Sequence, residues 1–158
     1  MIVRLLPDEP DRLRAIRLRA LAEAPAAFGS TLEETRQRPP SSWRQQARDL
    51  PTWLAVVGGE DVGMVRVSRA GAIAWLISMW VAPGGRGKGL GDALVAAVVD
   101  WAKAAGCEEV RLEVSDDNAA AIRLYARHGF VPTGLRKMMP PPQAHRGEHE
   151  QALRLSSG

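Results

Sequence analysis

Apolar residues recur along this chain with two periods, and the alternation between them sketches the elements. Met1-Ile-Val-Arg-Leu-Leu6 reads as a short strand. Leu13, Ile16, Ala20, Leu21 and Ala24 then fall on one face of a helix that opens near Asp8-Glu-Pro10 and stops at Pro25. Residues from Ala26 to Ser42 show no period and predict an irregular, mobile surface segment, followed by a short helix around Ser42 to Asp49 capped by Ser41 or Ser42. Three extended runs come next: Thr52 to Val57, Val62 to Val67 after a Gly58-Gly59 hairpin signal, and Ala72 to Val81 after a turn at Arg69-Ala-Gly71. The last of these is apolar on both faces, as a central strand covered on each side must be. Leu90, Ala93, Leu94, Ala97, Val98, Trp101, Ala102 and Ala105 return to helical spacing, with Gly106 as the C-terminal stop. Glu109 to Val114 alternates as a strand, Ser115-Asp-Asp-Asn118 opens a helix through Ile122, Tyr125 and Ala126, and strands begin at Phe130-Val131 and at Glu148 around a proline-rich loop, Met138 to Gly147.

Strand, helix, strand from residue 72 to residue 114 implies a parallel crossover, whereas the runs before it form an antiparallel meander. The expected architecture is therefore α/β, a single domain over residues 1–158 with a mixed, mostly antiparallel sheet of six or seven strands and helices on both faces.

Composition narrows the chemistry. A chain of 158 residues with 46% hydrophobic content supports one core of ordinary size. No apolar run approaches the ~20 residues a bilayer span needs, and no leader pattern is visible, so a cytoplasmic protein without membrane contact is expected. Cys107 is the only cysteine and reads as a buried thiol; His128, His145 and His149 have no ligand-like spacing, so no metal is expected. The net charge of +3 comes from 21 Lys and Arg against 18 Asp and Glu spread along the chain, which fits a local anion site better than a nucleic-acid face.

That anion site has an obvious candidate. Between Val81 and Leu94 the chain places five glycines with Arg86 and Lys88 at the mouth of the long helix. A helix N-terminus offers unpaired amides and about half a positive charge, and glycines let an anion approach the backbone. The nucleotide patterns G-x-x-x-x-G-K-[ST] and G-x-G-x-x-G both fail, because Lys88 is followed by Gly89 and Gly85-x-Gly87 leads to Leu90. What remains, Arg86-Gly-Lys-Gly-Leu-Gly91, matches R/Q-x-x-G-x-G/A. Downstream, Asn118-Ala-Ala-Ala-Ile-Arg-Leu-Tyr-Ala-Arg-His-Gly-Phe130 matches N-x-x-A-x-x-L-Y-x-x-x-G-F.

On these two motifs, and on Met79-Trp-Val-Ala-Pro83 before them, the chain resembles the GNAT superfamily of acetyl-CoA-dependent N-acetyltransferases over roughly residues 52–135. The resemblance implies that the strands ending at Val81 and Val114 splay apart and that acetyl-CoA enters the wedge as cosubstrate. Its pantetheine would pair with backbone near Met79, Trp80 and Val81, and its diphosphate would rest on the amides of Gly87, Lys88, Gly89, Leu90 and Gly91, with Arg86 and Lys88 adding charge. Asn118 would contact the pantetheine or cap its own helix, and Arg127 would lie near the nucleotide end or be an exposed helix residue. Asp92 sits awkwardly near phosphates.

The resemblance also assigns the chemistry. The Val81 N–H would polarise the thioester carbonyl, and Tyr125 matches the family tyrosine that protonates the departing sulfur. Many relatives carry a glutamate on the strand before the glycine loop, but Ala72 to Val81 holds no acid. Glu113 stands where the enzymes that acetylate the N-terminal alanine of a ribosomal protein keep their proposed base; the alternatives are a solvated strand residue and proton loss through water. The acceptor would be a primary amine of a small molecule or peptide, bound by residues of about 24–50 and 136–150, including Phe28-Gly-Ser-Thr31, Trp43 and the 138–147 loop, with Glu33 and Glu34 as possible cation attractors and Trp75 and Trp80 as pocket walls or core. A non-catalytic acyl-CoA-binding module is the competing reading, and monomer and homodimer are both open.

Overall fold

The computed structural model describes residues 1–156 and contains one seven-stranded sheet. Strands β1 (Ile2–Arg4), β2 (Thr52–Val57), β3 (Glu60–Ala70), β4 (Ile73–Val81), β5 (Glu109–Ser115), β6 (Val131–Met138) and β7 (Gly147–Arg154) lie in the order β1-β2-β3-β4-β5-β7-β6. Every neighbouring pair is antiparallel except β4 and β5. The expected mixed, mostly antiparallel α/β sheet is therefore present.

Helices cover both faces. Helices α1 (Pro10–Glu23), α2 (Leu32–Arg36) and α3 (Pro40–Asp49) lie in the first half of the chain. Leu13, Ile16 and Leu21 of α1 and Trp43 of α3 are buried with Leu54, Met64 and Trp80 of the sheet. On the other face, α4 (Leu90–Ala104) and α5 (Ala119–Arg127) bury Leu94, Val95, Val98 and Tyr125 against Val65, Val67, Leu76, Leu112 and Val114. Alternation along β3 assigns Met64 to one core and Val65 to the other, as a doubly covered strand requires.

Two expectations for the first half fail. The segment after α1 is not irregular throughout, since Thr31 caps α2 by accepting the Glu34 N–H at 3.2 Å, and Phe28, Thr35 and Trp43 are buried. The five-residue helix is too short to show an apolar period. Neither Ser41 nor Ser42 caps α3. That helix starts at Pro40, after Pro39, because proline supplies a helical φ and lacks the N–H that the first turn would leave unpaired.

The central pair is where the sheet opens. β4 and β5 register only over Ile73–Trp75 against Glu109–Arg111. Beyond that, β5 stays paired with β7 to Ser115 and β4 follows β3 to Val81. The two strands therefore part towards their C-terminal ends. A bulge reinforces the parting: Arg66↔Ile77 and Met64↔Trp80 set two residue steps of β3 against three of β4. The extra residue inverts the alternation, so Leu76 and Trp80, four positions apart, lie in opposite cores. Ser78, inside the bulge, has φ 59° and is the only non-glycine residue with positive φ among those described.

Candidate functional site

The gap between β4 and β5 continues into a cavity of about 570 Å³. Trp75, Ser78 and Met79 of β4, Glu113 and Val114 of β5, Tyr125 of α5 and the preceding Asn118 line it, together with Phe28, Gly29, Ser30, Met139 and Pro140. Two stretches expected to flank an acceptor, 28–31 and 138–147, thus each contribute to this wall, although Thr31 itself does not. Glu33 and Glu34 are exposed in the first turn of α2 and do not line it. Trp43 is core, and Trp80 is core as well, donating its indole N–H to Glu23 at 2.8 Å. Trp75 is the tryptophan that reaches the cavity.

At the mouth of the gap lies the glycine loop. Gly87 and Gly89 have φ of 78° and 75°, and Gly89 is the left-handed residue preceding α4. A methyl group built on either would meet nothing within 4 Å, so backbone conformation rather than crowding requires glycine here. Among the described residues, none of Gly87, Lys88, Gly89, Leu90, Gly91 and Asp92 donates its amide to a backbone carbonyl of the loop; Ala93, bonded to the Gly89 carbonyl at 3.1 Å, is the first to do so. No side chain caps the helix either. The loop therefore presents a run of free N–H groups at the positive end of a 15-residue helix.

The hydrogen-bond pattern at the end of β4 frees one more amide. Ala82 donates to the Val62 carbonyl at 2.7 Å, which makes Gly63 and Val81 a non-hydrogen-bonded pair. The N–H and C=O of Val81 consequently point away from β3, into the space that β5 has vacated. Arg86 Nε takes up the Val81 carbonyl at 2.9 Å.

The cations around the loop are differently committed. Arg86 turns back to α1, its Nη2 lying 3.0 and 3.2 Å from the two carboxylate oxygens of Glu23. Lys88 is exposed. Arg127 lies near the start of α4 but pairs with Asp92 at 3.2 Å, and His128 Nε2 sits 2.9 Å from the same carboxylate. Asp92 is thereby screened from the loop in front of it, and the two hydrogen bonds hold its carboxyl below the usual range. Asn118 accepts the Ala121 N–H at 3.2 Å as helix cap and also lines the cavity.

Tyr125 is buried, with its ring edge-on to Phe130 at 5.8 Å between centroids. Burial pushes its phenol well above the ordinary tyrosine value, with no hydrogen-bond partner opposing the shift. It stays protonated throughout the physiological range.

Across the cavity, Glu113 is not alone. Lys137 Nζ of β6 lies 2.6 Å from Glu113 Oε2 and 3.7 Å from Glu148 Oε1 of β7. Burial, followed by the hydrogen bond and charge of Glu113, pushes the Glu148 carboxyl up to about 7, against the lowering pull of Lys137. Lys137 is itself raised by the Glu113 contact. Sequence reasoning reached Glu113 but missed Glu148, Lys137, Ser78, Arg17 and Arg66, all of which line the cavity. For Arg17 a signal was present: it occupies a helical position between Ile16 and Ala20, on the face α1 buries.

Among the described residues no cluster of three or more His, Cys, Asp or Glu side chains is placed to hold a metal ion, and no helix is long and apolar enough to cross a membrane. Cys107 is buried and free.

Comparison with known proteins bears on this geometry. The model of the acetyltransferase (GNAT) family matches residues 17–130. A streptothricin acetyltransferase of Streptomyces lavendulae is 37% identical over 107 residues, covering 64% of this chain and 55% of that protein. A mycothiol acetyltransferase of Beutenbergia cavernae is 32% identical over 126 residues, covering 77% of this chain and 41% of that protein. The chain thus spans about half the length of the curated relatives it matches. A Salmonella typhimurium structure solved with acetyl-CoA as its cofactor has the same fold, with a TM-score of 0.81 over 100% of this chain and 95% of that one at 19% identity.

Proposed function

We propose that this chain, which belongs to the GNAT acetyltransferase family, is an N-acetyltransferase that moves the acetyl group of acetyl-CoA to a primary amine by direct attack in a ternary complex. The observation that carries the reading is the run of undonated amides from Gly87 to Asp92 at the mouth of a split sheet, with Tyr125 on the wall of the same cavity. The loop amides receive the diphosphate, and Lys88, rather than the Glu23-bound Arg86, supplies the adaptable charge. The Val81 N–H faces the developing oxyanion. The amine nitrogen bonds to the acetyl carbon and gives up its proton to the base, the carbon–sulfur bond breaks, the sulfur takes the proton of Tyr125, and the tyrosinate recovers one from solvent. A phenol this deeply buried is a weak acid, but a thiolate expelled into the same apolar surroundings is a correspondingly strong base.

The base in this reading is Glu148 rather than Glu113. Glu113 is committed to Lys137 at 2.6 Å, whereas Glu148 has a proton affinity close to neutral. Glu113 acts as a positioning residue that raises its neighbour. Because the base works ionised, kcat/KM should rise about tenfold per pH unit below pH ~7 and level off above it. Lys137→Met removes a charge that lowers Glu148, so the limb should move to higher pH; Glu113→Gln removes one that raises it, so the limb should move to lower pH. A limb that stays in place in both variants would exclude Glu148 as the titrating group.

The decisive assay follows thiol release from acetyl-CoA with a panel of amines. Amine-dependent release supports the transferase reading; tight acetyl-CoA binding with no turnover across the panel would instead favour a non-catalytic acyl-CoA-binding module. A cytoplasmic location is proposed from the cosubstrate.

A further inference from the structure

Among the described residues, two buried arginines on the cavity wall have no counter-ion. Arg17 is 5% exposed, its guanidinium carbon lies 5.2 Å from the centroid of the Phe28 ring, and its Nη1 is buried with no hydrogen-bond partner. Arg66 is 7% exposed and is held by neutral groups, donating to Ser78 Oγ at 2.9 Å and to Gln46 Oε1 at 2.7 Å. Both line the cavity. Burial is the main cause that pushes Arg17 down to about 10 and Arg66 down to about 9. Arg38 adds repulsion on both and Arg17 on Arg66, and no acid opposes these shifts.

Charge buried without a partner is costly, and a protein that retains two such groups on one cavity wall gains nothing in stability from them. The guanidinium is also the side chain best shaped to take an oxyanion with two parallel hydrogen bonds. The strained Ser78 contributes to the same arrangement by holding the Nε of Arg66. The carboxylates of Glu113 and Glu148 lie on the wall of the same cavity, so it offers an acceptor cations in one place and acids in another.

Resting on the acetyltransferase reading and narrowing its acceptor, we propose that the amine substrate is a zwitterion. Its carboxylate, or a comparable oxyanion, docks on Arg17 and Arg66, and its amine is thereby presented to Glu148. Bulky amines lacking an acidic group would leave the arginine pair uncompensated and bind weakly.

The test uses α- and ω-amino acids, each beside its carboxamide, in two measurements: calorimetry without acetyl-CoA, and thiol release with it. The expected result is binding of at least one amino acid and a preference for acid over amide of about tenfold or more, the scale of a lost charged hydrogen bond. In Arg17→Met that preference should fall towards one, with acetyl-CoA affinity unchanged and the thermal midpoint raised, because an unpaired buried charge has gone. A residue that merely supported the fold would lower the midpoint instead. Equal use of acids and amides by the unaltered protein, a preference untouched by Arg17→Met, or no binding of any acid would each overturn the proposal. Acid binding without acetyl-CoA binding would uphold this site and defeat the transferase reading; turnover confined to neutral amines would do the reverse.

Discussion

Replacing Tyr125 by phenylalanine is expected to lower kcat about 10²–10⁴-fold, the range over which general acids act, while leaving acetyl-CoA affinity and the fold intact. Each part has a local reason. The phenol lines the cavity but, among the described residues, has no hydrogen bond whose loss would leave a buried partner unpaired. Its ring packs on Phe130, a contact that phenylalanine retains. Unfolding free energies of the two proteins should therefore agree within the ~0.5 kcal/mol typical of neutral changes. The drop should shrink for a thioester whose leaving thiol is more acidic, since such a thiolate needs less help from a donor. An equal loss for both leaving groups would remove Tyr125 from the proton-donor role, and an unfolded Tyr125→Phe protein would mean that the hydroxyl supports the structure.

The second large effect belongs to the loop. Gly89→Val places a β-branched side chain at φ 75°, a conformation that costs such residues ~1–3 kcal/mol and that the loop would escape by turning its amides away. We expect the Kd for acetyl-CoA to rise about 100-fold, the loss of roughly two charge-assisted hydrogen bonds, with kcat at saturation far less affected. Gly84→Ala is the matched control: Gly84 lies outside the positive-φ set and a methyl there meets nothing within 4 Å, so affinity should not change. Equal effects of the two substitutions would mean that the diphosphate rests elsewhere.

Much of this site was legible in the sequence because its parts are local. Free amides, positive φ and a helix start all follow from a few consecutive residues, and Arg86 to Gly91 displays them openly. Strands β2 to β5 were equally readable, since alternation and turn residues are also short-range. The part of the cavity proposed for the acceptor was less so. Arg17, Arg66, Glu113, Lys137 and Glu148 come from five elements and meet only because β4 and β5 part and β7 inserts beside β5. Strand order is a long-range property, and nothing in a string of residues announces that the last strand but one in space is the last in sequence. The bulge at Ser78 was hidden for a similar reason, because it lies in a run of apolar residues that reads as uninterrupted strand. The cations expected beside the cofactor show the converse limit: Arg86 and Arg127 were visible, but their engagement with Glu23 and Asp92 depends on partners 63 and 35 positions away.

Binding of acetyl-CoA in the split sheet is tested most directly by a crystal structure of the protein with that molecule. The expected density places diphosphate oxygens about 3 Å from the amides between Gly87 and Gly91, with the thioester in the gap between Val81 and Tyr125. A loop left empty at millimolar acetyl-CoA, or a diphosphate bound elsewhere on the chain, would contradict it.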